Sequence, residues 1–416
     1  MRATTPAEQT GLGETIAEML LELAAVSDEP AQLTRLYLGP GHRRAADLVA
    51  KWMREAGMTT RLDALGNVVG RYKAREGGRL TLILGSHVDT VRNAGRFDGA
   101  LGVVTAIEVV KAASASGKRF PFAVEVIGFG DEEGVRFAST LGGAKARAGR
   151  FDTKALDEVD EDGVSRRNAL LAFGSNPASV SEEALSPDRS AGYVEVHIEQ
   201  GPVLEQEGLP VGIVTAIDGV TRGTVEVSGI AGHAGTVPMP MRHDSLAAAA
   251  EMVLAIEERA RARSTLVATV GKMDVPGSAA NTIPGRVRFS LDIRSPSDQE
   301  RTSAVADIRE KVAAIAHRRG VSARLAIGHE AAAALCDARL SDRLAQAVES
   351  CGISPRRLPS GAGHDAMAFD KVIPFAMLFV RCRGGISHNP DEYASPADID
   401  VAARVLSAFL DKVACP

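Results

Sequence analysis

Leu80-Thr-Leu-Ile-Leu-Gly-Ser-His-Val-Asp-Thr90 decides how this chain folds. Leu80–Gly85 is a continuous apolar run that stops at Gly85-Ser86-His87, the pattern of a strand buried on both faces. Phe122–Gly128 and Tyr193–Ile198 repeat it. Between and before them lie helical stretches. Ala100–Ala113 is one, and Gly41–Ala56 is another, with Ala45, Leu48, Val49, Trp52 and Met53 on one face. Buried strands alternating with helices predict an α/β fold with a mostly parallel sheet and helices on both faces. Chemistry in such sheets collects at the carboxyl ends of the strands, and each of these three runs ends in His, Asp or Glu.

The rhythm changes in the middle of the chain. Thr221–Ser228 alternates like a half-exposed strand, and Asp244–Ala262 is an amphipathic helix. Leu266–Asp274 and Val287–Arg294 read as strands joined through a turn at Asn281–Gly285, followed by a helix at Asp298–Arg319 and a strand at Ala323–Gly328. The order βαββαβ is a ferredoxin-like sandwich. It predicts a domain of residues 216–330 inserted into one built from 1–215 and 331–416. The tail returns to α/β, with a helix at Ala338–Glu349, a strand at Pro374–Val380 and a closing helix at Pro396–Val413. Asp152–Arg189 is polar and is expected to be a surface excursion.

Composition narrows the function. With 416 residues, 45% hydrophobic and 24% charged, the chain is globular and long enough for two domains. A formal net charge of -5, with no basic run, argues against nucleic acid or an anionic membrane as partner. The N-terminal MRATTPAEQTGLGE has no signal pattern, no apolar run is long enough to span a bilayer, and Cys336, Cys351, Cys382 and Cys415 form no C-x-x-C pair. These features predict reduced thiols in a cytoplasmic protein.

Five pieces carry ligand-type side chains: GSHVDT (85–90), GRFDG (95–99), DEEG (131–134), HIEQG (197–201) and ISHNPDE (386–392). Like charges gathered at one sheet mouth repel unless a cation holds them. Imidazoles with carboxylates suit Zn, Mn or Co. Asp98, arriving from a turn, fits a carboxylate that bridges two ions about 3.5–4 Å apart. Of the adjacent Glu132 and Glu133, one is expected to bind metal and the other to act as general base. Asp89, two residues after His87, is expected to orient that imidazole.

These pieces, together with AGHAG (231–235), NTIPG (281–285), LDIR (291–294) and GAGHDA (361–366), occur in an order that resembles allantoate amidohydrolases and N-carbamoyl-L-amino-acid hydrolases. They are the ureido-cleaving branch of the dinuclear metallopeptidase superfamily. The resemblance runs from about residue 10 to the C-terminus. It implies a metallopeptidase-like catalytic domain with an inserted lid and dimerisation domain. It further implies a homodimer and two divalent ions per chain, Mn or Zn with Co also admitted, held by His87, Asp98, Glu133, His197 and His388. Asp98 would bridge and Glu132 would be the base. The imidazole of His197, where peptidase relatives carry a carboxylate, favours the ureido branch.

The resemblance also implies substrate contacts: Arg294 as carboxylate clamp, Asn281 and His233 from the inserted domain, and Gln200 and Gly363 from the main one. His233 would additionally stabilise the oxyanion, and closure of the inserted domain would assemble the site. His364 is open between a site and a structural role, and His42, His243, His317 and His329 are expected at the surface or in packing. The expected substrate is a small ureido compound with a carboxylate, allantoate before an N-carbamoyl-L-amino acid. Asn93, Arg96, Gln200 and His364 would give the polar pocket that a second ureido group needs. An aminoacylase or dipeptidase is the more distant alternative, and a non-catalytic binding protein the most distant.

Overall fold

The computed structural model describes residues 11–414. The N-terminal expectation for residues 1–10 and the thiol of Cys415 lie outside the described residues. The chain forms two compact units. One runs through Thr215, then takes up Cys336–Leu358 and everything from Gly363 on; the other comprises Ala216–Leu335 and Pro359–Ala362.

The first unit is built on a sheet in the order Thr59–Leu62, Val68–Tyr72, Ala123–Phe129, Thr81–His87, Ser190–Ile198, Phe375–Val380, Val211–Ile217. Its four central strands, from Ala123–Phe129 to Phe375–Val380, are mutually parallel, while its flanking pairs are antiparallel. Burial on both faces explains the uninterrupted apolar reading of those four strands. Side chains still alternate. Leu82, Leu84, Val124, Val126, Val194, Val196, Ala376 and Leu378 join one core with the helices Leu12–Ala24, Pro40–Glu55, Ala100–Ala115, Ala338–Ser350 and Pro396–Ala414. The odd-numbered positions turn to the other face. There Phe129 and Tyr193 pack on Phe369 of the short turn Asp365–Phe369, and His87, Glu195 and His197 share that face.

The second unit orders its strands Met273–Asp274, Arg286–Ser295, Gly219–Ser228, Ser322–Ala331, all antiparallel, with Val267–Thr269 also on Arg286–Ser295. One face is covered by the helices Ser245–Arg261 and Asp298–Arg318, whose Ala248, Met252, Ile256, Ile308 and Val312 meet Val225, Val227, Val287, Phe289 and Leu291. Both helices start on caps. Asp244 accepts from the amides of Leu246 and Ala247, and Ser297 from that of Glu300.

Three local readings change. The expected strand Leu266–Asp274 is two short pieces, Val267–Thr269 and Met273–Asp274, separated by Val270, Gly271 and Lys272. Thr282–Ile283, expected as a turn, pairs with Gly232–His233 and so brings Asn281 beside the His233 loop, with the Ala234 amide donating to the Asn281 carbonyl at 2.9 Å. The polar excursion is only partly at the surface. Its helix Arg166–Phe173 buries Leu170, Phe173 and, completely, Arg166. A buried arginine escapes an apolarity reading because its counter-charges, Asp131 and Glu158, are remote or unpatterned in sequence. No helix among the described residues is long and apolar enough to cross a membrane.

The helix Ala100–Ala115 approaches the sheet so closely that a Cβ on Gly102 would lie 2.1 Å from the Val196 carbonyl oxygen. Backbone cannot move aside as a flexible side chain would. Gly102→Val is therefore expected to cost about 1–3 kcal/mol or more of stability, read as a lower denaturant midpoint. An unchanged midpoint would contradict this packing.

Candidate metal centre

The carboxyl ends of the four parallel strands deliver the ligand-type residues. Thr81–His87 ends on His87, Ala123–Phe129 runs into Asp131-Glu132-Glu133, Ser190–Ile198 carries His197, and His388 follows Phe375–Val380 after a short loop. Asp98 stands between them at the start of the helix Ala100–Ala115. Gly99, at φ 63°, makes that approach feasible: a Cβ there would sit 2.5 Å from the His87 ring.

Asp98 is the centre of the cluster. Its Oδ1 lies 3.6 Å from His87 Nε2 and 3.1 Å from His197 Nε2, while its Oδ2 lies 3.3 Å from His388 Nε2. His388 Nε2 is also 3.7 Å from Glu133 Oε2. Among the described residues four donor sets converge, His87–Asp98–His197, Asp98–Glu133–His388, His87–Glu132–Glu133 and Glu195–His197–His364, and Asp98 is common to the first two.

The imidazoles are already oriented. His87 Nδ1 lies 3.0 Å from the Asp89 carbonyl, and His197 Nδ1 lies 2.8 Å from the Ile198 carbonyl. A carbonyl only accepts, so Nδ1 carries the proton and the Nε2 lone pair of a neutral ring faces Asp98. Lone pair against carboxylate repels. The contact is relieved by a second ring proton or by a cation between the two, so this donor set fits a divalent metal.

The same conflict governs protonation. Burial, reinforced by Glu133, Asp365 and Asp89 and opposed by His87, pushes the Glu132 carboxyl well above its ordinary range. Burial, with Asp98 and Asp89, pushes Glu133 up to about 7. Burial would raise Asp98 too, but the rings of His197, His388 and His87, once they carry the second proton, hold it well below the usual carboxylate range.

The supports differ from expectation in one respect. The Asp89 carboxylate is 3.9 Å from His87 Nδ1, too far for a hydrogen bond. It instead accepts from the backbone amides of Glu132 at 3.3 Å and Glu133 at 3.2 Å. The main-chain carbonyl of Asp89 orients His87, while its side chain fixes the two glutamates. Gln200 donates Nε2 to Asp98 Oδ2 at 3.0 Å, and its Oε1 is buried without a hydrogen-bond partner. His364 is buried, its ring edge-on to His197 at 4.4 Å, and burial holds it neutral.

Three buried carboxyl groups near the cluster escaped the sequence reading. Glu392 accepts from the amides of Phe97 at 2.8 Å and Asp98 at 3.0 Å, and its other oxygen lies 2.9 Å from Ser387 Oγ. It sits in the ISHNPDE stretch that was read for His388 alone. Glu195, on the same sheet face as His197, accepts from Ser86 Oγ, Tyr193 Oη and the Ala366 amide. The two-residue spacing from His197 was its available signal. Asp365 is fully buried next to His364, with neither oxygen hydrogen-bonded.

Within the second unit, Arg294 spreads its fork over Asp292, at 2.8 and 3.0 Å, and donates Nη1 to the Gly361 carbonyl at 2.6 Å. His233 and Asn281 are exposed neighbours. His42 packs on Phe173 and accepts from the Leu38 amide. Cys336, Cys351 and Cys382 are free thiols.

Comparison with known proteins follows the same lines. The family model described as Peptidase family M20/M25/M40 matches residues 83–412. The chain is 42% identical to allantoate deiminase 1 of Glycine max over 95% of this chain and 88% of that protein. It is 40% identical to an N-carbamoyl-L-amino acid amidohydrolase of Geobacillus stearothermophilus over 95% and 97%. Among solved structures, an amidase of the hydantoinase/carbamoylase family from Burkholderia multivorans superimposes with a TM-score of 0.92 at 33% identity, covering 97% of this chain and 98% of that one. The chain belongs to Peptidase family M20/M25/M40.

Proposed function

We propose that this protein is a metal-dependent amidohydrolase that cleaves the ureido C–N bond of a small carboxylate-bearing substrate, with allantoate as the preferred one. The carrying observation is Asp98, shared by two His/carboxylate donor sets, with the half-buried Glu132 beside them. The relatives named allantoate deiminase and N-carbamoyl-L-amino acid amidohydrolase support the bond type. Their nearly equal identities, 42% and 40%, make an N-carbamoyl-L-amino acid the second reading.

His87, Asp98 and His197 would hold one divalent cation, and Asp98, Glu133 and His388 a second. When bound, such cations polarise a carbonyl and acidify water. Glu132 takes the proton from the attacking water and delivers it to the nitrogen that leaves as the C–N bond breaks. The carbamate so released decomposes to ammonia and carbon dioxide. Asp89 keeps Glu132 and Glu133 in place through their amides, and the free Gln200 Oε1 can accept from a ureido N–H. In the second unit, Arg294 is the proposed clamp for the substrate carboxylate, its plane fixed by Asp292, with Asn281 and His233 as further contacts and His233 as an oxyanion donor. Gly363 belongs to the same proposal, as do a homodimer joined through the second unit and a cytoplasmic location.

A substrate panel tests the reading. kcat/KM for allantoate is expected to exceed that for N-carbamoyl-methionine and N-carbamoyl-alanine; a preference of about tenfold for either of the latter, about 1.4 kcal/mol in the transition state, would transfer the assignment to the carbamoylase reading. Release of amine from acetylated amino acids, without ammonia from any ureido compound, would remove both.

Glu132→Gln is expected to lower kcat by about 10²–10⁴-fold or more with metal content unchanged by elemental analysis. Glu133→Gln should primarily lose metal. Exchanged phenotypes would reverse the two roles.

Arg294→Lys keeps the charge and loses the fork. It should lower kcat/KM about 10–100-fold, mainly through KM, with an unchanged melting temperature. Normal kinetics would remove Arg294 from substrate binding.

A further inference from the structure

We infer that Arg166 is a positioning residue for Glu132 and Glu133, acting through Asp131. The inference rests on the roles given to those two glutamates above. They lie on the loop between the strand Ala123–Phe129 and the helix Gly142–Arg147, and Asp131 immediately precedes them in the left-handed region at φ 71°. A non-glycine residue holds that conformation only when its surroundings impose it.

Arg166 imposes it. Both side chains are completely buried, and Arg166 Nη1 is ion-paired with Asp131 Oδ2. From the same guanidinium, Nη2 donates to the Ser139 carbonyl at 3.2 Å, to Ser139 Oγ at 2.8 Å and to Glu158 Oε2 at 3.0 Å. One planar group therefore ties residue 131 to residue 139, pinning the loop on either side of the glutamates. The Phe137 ring, 4.6 Å from the guanidinium carbon, closes over it. Asp89, in addition, holds the amides of Glu132 and Glu133. The Glu132–Glu133 segment is gripped by two independent anchors.

Stability alone does not explain the pair. A fully buried ion pair is often no better than apolar packing of equal volume. Here Asp131 Oδ1 and Arg166 Nε also lack hydrogen-bond partners. The chain nonetheless makes room for it: a Cβ on Gly142 would lie 2.5 Å from Asp131 Oδ2 and 2.7 Å from Arg166 Nη1. A lysine could not replace the arginine, because a point charge cannot reach Asp131, Ser139 and Glu158 from one plane.

The test uses full-length Arg166→Lys, alone and combined with Glu132→Gln. Metal affinity of the purified proteins, measured by chelator competition, needs no substrate and is expected to fall about tenfold in Arg166→Lys because Glu133 is misplaced. With the best ureido substrate of wild type, kcat should fall about 10–100-fold while KM stays within about threefold. At saturating metal, where the weakened Glu133 site is filled, the same substitution in the Glu132→Gln background should cost kcat less than about threefold, since the base it positions is already gone. A general folding defect would cost the same factor in both backgrounds, and that result would overturn the inference. So would wild-type metal affinity together with wild-type kcat. Should Arg166→Lys fail to fold, the charge-free pair Asp131→Asn/Arg166→Met is read in the same way, and retention of both wild-type affinity and turnover in it rejects the role. Absence of ureido turnover in wild type itself would defeat the proposed function, leaving metal affinity to decide on Arg166.

Discussion

Mutual repulsion among carboxylates removed from water is the constraint around which the first unit is organised. Asp89, Asp98, Glu132 and Glu133 gather at the mouth of one sheet, with imidazole lone pairs turned toward Asp98. Each charge is costly there without a partner. The structure meets that cost in two ways. Backbone amides and fixed side chains satisfy some oxygens, as where Glu392 receives two N–H groups and Asp89 two more. The remaining oxygens and nitrogens are left converging, which is the arrangement a divalent cation completes. Binding and catalysis draw on the same tension.

Much of this was legible because strands and ligands are local. A run such as Leu80–Gly85 followed by His87 and Asp89 carries its strand and its chemistry within a few residues. The βαββαβ order of the second unit was legible through the alternation of Thr221–Ser228 and the amphipathic period of Asp244–Ala262. The edge strand Thr59–Leu62 and its neighbour Val68–Tyr72, being short and mixed in polarity, gave no comparable pattern. The helix Leu12–Ala24 was legible in principle, through Ile16, Met19, Leu20 and Leu23 at helical spacing.

What sequence could not supply is partnership across distance. Arg166 looked like one basic residue in a polar stretch, because nothing near it in the chain announces Asp131. Glu392 lies 294 positions from the amide of Asp98 that it holds. Asp89 was expected to orient His87, but which of its atoms touches that ring is a matter of ångströms that spacing cannot resolve. Such residues are fixed by the fold and are chemically ordinary until the fold is known.

The discontinuity of the first unit has a consequence for synthesis. Ala216–Leu335 is a nearly complete unit emerging as one contiguous stretch, whereas the sheet that preceded it from the ribosome still lacks Phe375–Val380. That strand lies between Ser190–Ile198 and Val211–Ile217, so until it arrives both neighbours expose unsatisfied backbone edges. His388 follows later still. The nascent first unit must therefore wait, with open strand edges and an incomplete His/carboxylate cluster, while the second is made. This makes exposure of strand edges during synthesis, and the completion of the cluster, properties of chain order as much as of the finished site.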